Sequence, residues 1–210
     1  MSKFTCLSQK LVQVLESNQI IVEADRDVYM YGLDILINNI CLIVTIMVTG
    51  ILMGQWECSI VFLIVLIQLR RFTGGYHANK RWKCFCLTNL LHIIAIGVSM
   101  FGETILTEVL LTIGIIYALI TIFKLAPIES EKNKKTMQEL LHHKKVGRIL
   151  SVSLAGVAYT GKWITPMVYE ISVAMRMTII IVALLITISY IKKERKKYEK
   201  ISIKHNGKTY

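Results

Sequence analysis

The sequence predicts an all-α integral membrane protein: a bundle of about six transmembrane helices preceded by an amphipathic N-terminal helix. Three observations carry that prediction. Apolar residues make up 54% of the 210-residue chain and charged residues only 19%. The charges fall in blocks between long runs of Ile, Leu, Val, Met and Phe, as in a chain whose solvent is partly hydrocarbon. Lys and Arg crowd into alternate connections between those runs. A single membrane domain over residues 1–210 follows. No signal peptide is expected, because the N-terminus lacks a short apolar core with a small-residue cleavage site.

Taken in order, residues 5–23 place Leu7, Leu11, Val14, Leu15 and Ile20 or Ile21 at helical spacing among Lys, Gln and Glu. That pattern suits a helix on the membrane surface or a soluble cap on the bundle, within an N-terminal amphipathic segment 1–28. Asp25 is placed to cap the next helix. The candidate spans are 33–53, about 57–71, 84–101, 105–126, 149–168 and 171–191. Spanning a bilayer takes ~20 apolar residues, so the second is marginal. Its strictly apolar part, SIVFLIVLIQL, covers only ~16 Å at ~1.5 Å per residue. It reads either as a short tilted helix with Trp56 and the arginines at its interfaces or as a re-entrant segment buried in protein. The spanning reading is preferred because the loop charges require it.

Those charges set an orientation. The loop after the second span carries Arg70, Arg71, Lys80, Arg81 and Lys83 and no acidic residue. The connection 127–148 carries Lys132, Lys134, Lys135, Lys144, Lys145 and Arg148, and the tail 192–210 is equally basic. The opposite connections hold Glu57, Glu103, Glu108 and Glu170 against the single Lys162. Six spans with both termini in the cytoplasm of a cell membrane satisfy every loop. The net charge of +11 therefore points to anionic headgroups, not nucleic acid. Lys124 lies near a span end and can snorkel. Arg176 lies well inside the last span, where it either pairs with Glu170 or Glu108 or lines a substrate path.

The chemistry concentrates in the loop 70–83 and its exit, RRFTGGYHANKRWKCFC. The five cysteines are an odd number without disulfide-scaffold or zinc-ribbon spacing, so at least some are free thiols. A thiol becomes a nucleophile at neutral pH when a base or a positive field populates its thiolate. His77 and Cys84 share this loop with five cations, and Cys84 opens the third apolar run, where a helix N-terminus adds its dipole. Gly74 and Gly75 allow a tight turn and a close approach of backbone N–H groups to an oxyanion. In one straight helix His77 and Cys84 would stand ~10 Å apart along the axis, too far for proton transfer at ~3 Å. Their pairing requires a break, with His77 folded back over a helix that begins near Arg81. A metal set of His77, Cys84, Cys86 and His92 has no standard zinc spacing, and no metal or cofactor is expected.

The segment RRFTGGYHANKRWKC, with Arg-Arg, Gly-Gly, His and then Cys seven residues later, resembles the signature of the accessory gene regulator protein B (AgrB) family. The chain length, the amphipathic N-terminal region leading into YGLDILINN, the LAPIESEKNKK loop and the basic tail fit the same pattern. The resemblance implies a membrane-embedded cysteine endopeptidase of Gram-positive quorum sensing. Such a protein cuts the C-terminal tail from an AgrD-like precursor peptide and helps close the rest into a thiolactone or lactone ring. It places the catalytic pair on His77 and Cys84 and matches Arg70 and Gly75 to motif positions of a supporting role; Arg71 and Gly74 beside them complete the expected supporting or substrate-binding set. Cys86 is a second thiol close by, so the choice of Cys84 rests on its spacing from His77. The partners expected are the precursor peptide and the lipid bilayer, with a homodimer left open. The competing readings are a small transporter or peptide exporter that uses Arg176, Asn38 and Asn39 as substrate groups, and a structural membrane subunit with no chemistry.

Overall fold

The computed structural model describes residues 3–74, 81–101, 104–128, 136–161 and 166–206. Among these it is all helical: α1 Lys3–Ser17, a short 3-10 turn Glu23–Asp25, α2 Arg26–Leu52, α3 Trp56–Thr73, α4 Arg81–Phe101, α5 Ile105–Leu125, α6 Met137–Gly161 and α7 Pro166–Asn206. Four of these, α2, α4, α5 and most of α7, are long and apolar enough to cross a bilayer. The chain is an all-α membrane protein, as its composition predicts.

Side-chain contacts fix the directions. Glu108 of α5 meets Arg176 of α7, and further along Tyr117 bonds Thr187 at 2.6 Å, so these two helices run parallel. Tyr159 of α6 donates to Thr112 at 3.1 Å, while Arg148, earlier in α6, donates to the carbonyl of Phe123 at 2.7 Å, so α6 runs against α5. Gln55, just before α3, donates to Glu170 near the start of α7 at 2.7 Å. At the far end of α3, Phe72 packs on His143 of α6 with ring centroids 5.4 Å apart. Thus α3 runs as one uninterrupted helix between these two contacts. Lys and Arg gather where α3 ends, α4 begins, α5 ends and α6 begins; this is the basic end.

The core centres on α7, whose Val173, Ala174, Arg176, Thr178, Ile179, Val182, Ala183 and Ile186 are fully buried. Phe62, Leu66 and Leu69 of α3 and Ile115, Ala118 and Ile122 of α5 pack around them. In lipid, helix association rests on close packing and interhelical polar bonds instead of water exclusion. Glycines supply the close approaches. A Cβ at Gly114 would come within 2.6 Å of Ile180 Cδ1, and one at Gly50 would overlap the Ser59 hydroxyl.

Several element boundaries differ from the sequence reading. The first helix stops at Ser17, because Gln19 turns to φ 57°. It doubles back along α2, with Ser8 bonded to Asp34 and Val12 buried, and leaves Leu7, Leu11 and Val14 exposed. Asp25 occupies the N-cap of α2 without a side-chain cap bond, and α2 starts at Arg26, ahead of the expected 33. Helix α6, which holds the expected fifth span, begins inside the expected basic connection, at Met137. A reciprocal pair starts it: Thr136 N–H donates to Glu139 Oε2 at 2.9 Å and Glu139 N–H to Thr136 Oγ1 at 3.4 Å. It ends at Gly161, and Pro166 opens α7, because a proline at the first helical position loses no hydrogen bond. That last helix continues as helix through the expected tail to Asn206.

Candidate active site at the basic end

The end of α3 is built to hold a shape. Thr73 Oγ1 is buried and donates to the Leu69 carbonyl at 2.7 Å. Gly74 caps the helix at φ 72° and ψ −158°, a backbone region open essentially to glycine, and its N–H donates to Arg70 O at 3.1 Å. A Cβ on Gly74 would collide with the Ile128 carbonyl, while Ile128 N–H donates to Thr73 O at 3.1 Å. Gly147 of α6 closes the other side, its Cβ position 3.4 Å from Thr73 Cγ2. The exit of the chain from α3 is therefore clamped by the segment after α5 and by α6.

Cys84 lies in the first turn of α4, a turn without acidic residues. It is half-buried, and Thr88, His92, Ala95 and Ser99, buried at spacings of three to four residues, continue its side of the helix inward. Cys86 lies ~200° further round at ~100° per residue and is exposed. The two thiols that sequence spacing left side by side thus face opposite ways. Among the described residues Cys41, Cys58, Cys84 and Cys86 are free thiols.

Depth can be read from one contact. His92 of α4 sits 3.0 Å from Ser59 Oγ of α3. From that level Cys84 is ~12 Å toward the basic end along α4 and Arg70 ~16 Å along α3, within about a turn of each other. Arg70 is half-buried, and Arg71 is exposed with its guanidinium 5.7 Å from the Phe72 ring. Lys83 lies over Trp82 at 5.8 Å. The structure brings Arg70, Arg71, Gly74 and Cys84 to one end of the bundle. His77 and Gly75 lie outside the described residues. The alternative metal set does not converge: Cys86 faces away from Cys84, and His92 stands two turns deeper, bonded to hydroxyls. Among the described residues no three His, Cys, Asp or Glu side chains form a metal-holding group.

Sequence reasoning missed the surroundings of His92, considered only as a metal ligand. The sequence signalled only a histidine amid an apolar run; its meeting with Thr49 and Ser59 depends on the register of three helices. The pairing of Arg176 with Glu108 was one of two expected partners, and the guanidinium makes bonds of 2.9 and 3.0 Å to that carboxylate.

An all-helical membrane bundle with an inward thiol on a helix start and paired arginines at the same end defines a membrane protein with a candidate thiol site. Comparison with known families is specific: residues 8–190 match the model of Accessory gene regulator B, and the chain belongs to that family. Among curated proteins it is similar to the "Putative AgrB-like protein" of Clostridium perfringens strain SM101, 26% identical over 144 residues, 62% of this chain and 67% of that protein. It is also similar to the "Putative AgrB-like protein 1" of Clostridium perfringens strain 13, 24% identical over 149 residues, 71% of this chain and 76% of that protein. No solved structure matches the chain.

Proposed function

We propose that this protein is a membrane-embedded cysteine endopeptidase that removes the C-terminal tail of an AgrD-like precursor peptide and promotes cyclisation of the remainder. The observation that supports this most is the placement of Cys84: half-buried, in the first turn of α4, on its inward face and level with Arg70. Membership of the Accessory gene regulator B family agrees with a role in quorum-sensing signal processing.

In this reading the Cys84 thiol gives its proton to His77, and its sulfur attacks the scissile carbonyl. The C–N bond breaks, His77 returns the proton to the departing amine, and the peptide is left as a thioester on Cys84. Hydrolysis would discard the energy of that thioester. Attack by a thiol of the same peptide exchanges one thioester for another at almost no cost in free energy, and Cys84 leaves as a thiol once more. A site at the membrane interface that limits water favours the second path. Arg70, Arg71 and the other basic-end cations offer a counterpart for an acidic peptide tail; the Gly74 N–H is taken by the Arg70 carbonyl, so Gly74 serves the turn out of α3 and the oxyanion role falls to the backbone after it, at Gly75. Both termini and the site face the cytoplasm, following the Lys and Arg asymmetry.

Co-expression of a tagged precursor with the parent chain, Cys84→Ala, His77→Ala and Cys86→Ala tests the reading. Cleavage is lost in the first two variants and kept in the third; cleavage by Cys84→Ala sinks it. The exporter alternative loses its main substrate group, since Arg176 is fully buried and engaged by Glu108.

A further inference from the structure

His92 is a fully buried titratable side chain that the proposed chemistry does not use. Its Nε2 lies 3.0 Å from Ser59 Oγ on α3, and its Nδ1 lies 3.3 Å from Thr49 Oγ1 on α2. Neither hydroxyl is loose. Ser59 Oγ lies 2.9 Å from Gln55 O, and Thr49 Oγ1 lies 2.9 Å from the carbonyls of Thr45 and Ile46. The Phe62 ring stands against the imidazole edge to face, with centroids 5.0 Å apart. Gly50 completes the node, because only a residue without a Cβ lets α2 pass so close to Ser59. A neutral imidazole donates from one nitrogen and accepts at the other, so one of the two hydroxyls accepts from the ring while its proton stays on its own helix's carbonyl, and the other turns its proton onto the bare nitrogen; in either tautomer the ring ties α4 to both neighbours.

We infer that His92 is a positioning residue for the thiol: it sets the rotation of α4 and so decides that Cys84, not Cys86, faces the interior. The inference rests on the endopeptidase reading for its catalytic consequence but not for its geometry. His92 lies two turns from Cys84 on the inward side of the same helix, and the two thiols face opposite ways. A rotation of α4 that turns Cys84 outward turns Cys86 inward. Because an error of ~1 Å in a reacting group can cost about 10²-fold in rate, even a small rotation has a large effect.

The test uses the full chain in proteoliposomes, with Cys6, Cys41 and Cys58 replaced by alanine and Cys84 and Cys86 retained. A maleimide labels the two thiols, and mass spectrometry reads the labelling ratio of Cys84 to Cys86. His92→Phe keeps a ring and removes both polar bonds, His92→Asn keeps a donor and an acceptor, and Ser59→Ala removes one bond without altering the ring. In His92→Phe the ratio rises at least about twofold and kcat for precursor cleavage falls at least about tenfold with KM little changed; His92→Asn recovers part of both. Should His92→Phe fail to fold, Ser59→Ala carries the test with the same directions. A ratio that rises by less than twofold overturns the inference, and so does a raised ratio with unchanged kcat. If Cys84→Ala still cleaves, the endopeptidase reading fails, while the labelling ratio still decides the rotation.

Discussion

Arg176 of α7 grips Glu108 of α5 end on, with Nη1 at 2.9 Å from one carboxylate oxygen and Nη2 at 3.0 Å from the other. Tyr169 donates to the same carboxylate at 3.0 Å, and the guanidinium stacks 5.4 Å from the Tyr159 ring. Three helices meet there, at the end of the bundle remote from Cys84. Removing one member of a buried pair leaves an uncompensated charge, which costs more than the pair itself contributes. Glu108→Gln is therefore expected to destabilise the protein by about 3 kcal/mol, and the double variant Glu108→Leu, Arg176→Met to recover most of it. Thermal unfolding of the purified protein in lipid nanodiscs measures this. A Glu108→Gln melt matching the parent would show that the pair is not a fastening.

The two neighbouring thiols separate in a second experiment. Cys84 is half-buried and Cys86 exposed, so a membrane-permeant maleimide should label Cys86 first. Precursor cleavage should survive that first modification and stop with the second. Loss of cleavage in step with Cys86 labelling would transfer the nucleophile to Cys86.

A glycine series orders the packing demands of the bundle. Gly32 has nothing within 4 Å of its Cβ position, Gly114 would meet the flexible tip of Ile180 at 2.6 Å, and Gly50 would meet the Ser59 side chain and with it the His92 node. Alanine at Gly32 is expected to raise stability by about 0.5–1 kcal/mol through helix propensity, and alanine at Gly114 to cost about 1 kcal/mol as Ile180 shifts. Gly50→Ala is expected to be the most damaging, by at least about 2 kcal/mol, because the displaced hydroxyl leaves buried polar partners unsatisfied. Urea-unfolding midpoints of the three variants in mixed micelles check the order; Gly50→Ala as mild as Gly32→Ala would refute it.

Much of this was legible in the sequence because membranes impose a coarse and strong code. Long apolar runs mark helices, and blocks of Lys and Arg mark one end, which placed α3, α4 and α5 within a turn or so, whereas α2 starts about two turns ahead of its apolar run and α7 continues about four turns past its own. The side of α4 that carries Cys84 inward follows from the spacing of Thr88, His92, Ala95 and Ser99, a helical stripe of small and polar residues. The start of α6 was written as Thr136-Met-Gln-Glu139, a capping box hidden by the lysines around it. The folding back of α1 onto α2 was not legible, since an amphipathic stripe does not say which surface it meets. Neither was the His92 node, which depends on the register of three helices that are distant in sequence.

Gly74 gives the sharpest test of the α3 exit. Its φ of 72° with ψ −158° lies where an L side chain is strained, and a Cβ there would also strike the Ile128 carbonyl. Both effects push in the same direction: the chain must leave α3 along another path, and the bond from Ile128 N–H to Thr73 O, now 3.1 Å, must lengthen or break. Backbone strain of this kind costs about 1–3 kcal/mol, small enough for the bundle to survive and large enough to redirect the chain where it leaves α3. Gly74→Ala is expected to keep the parent's helical content, to accelerate hydrogen exchange at the Ile128 amide, and to lower precursor cleavage at least about tenfold. Hydrogen exchange followed by mass spectrometry, run beside the cleavage assay, separates the possibilities. Parent-like protection at Ile128 together with parent-like cleavage would mean that the α3 exit does not need its glycine, and that the clamp from Ile128 and Gly147 has no part in the activity.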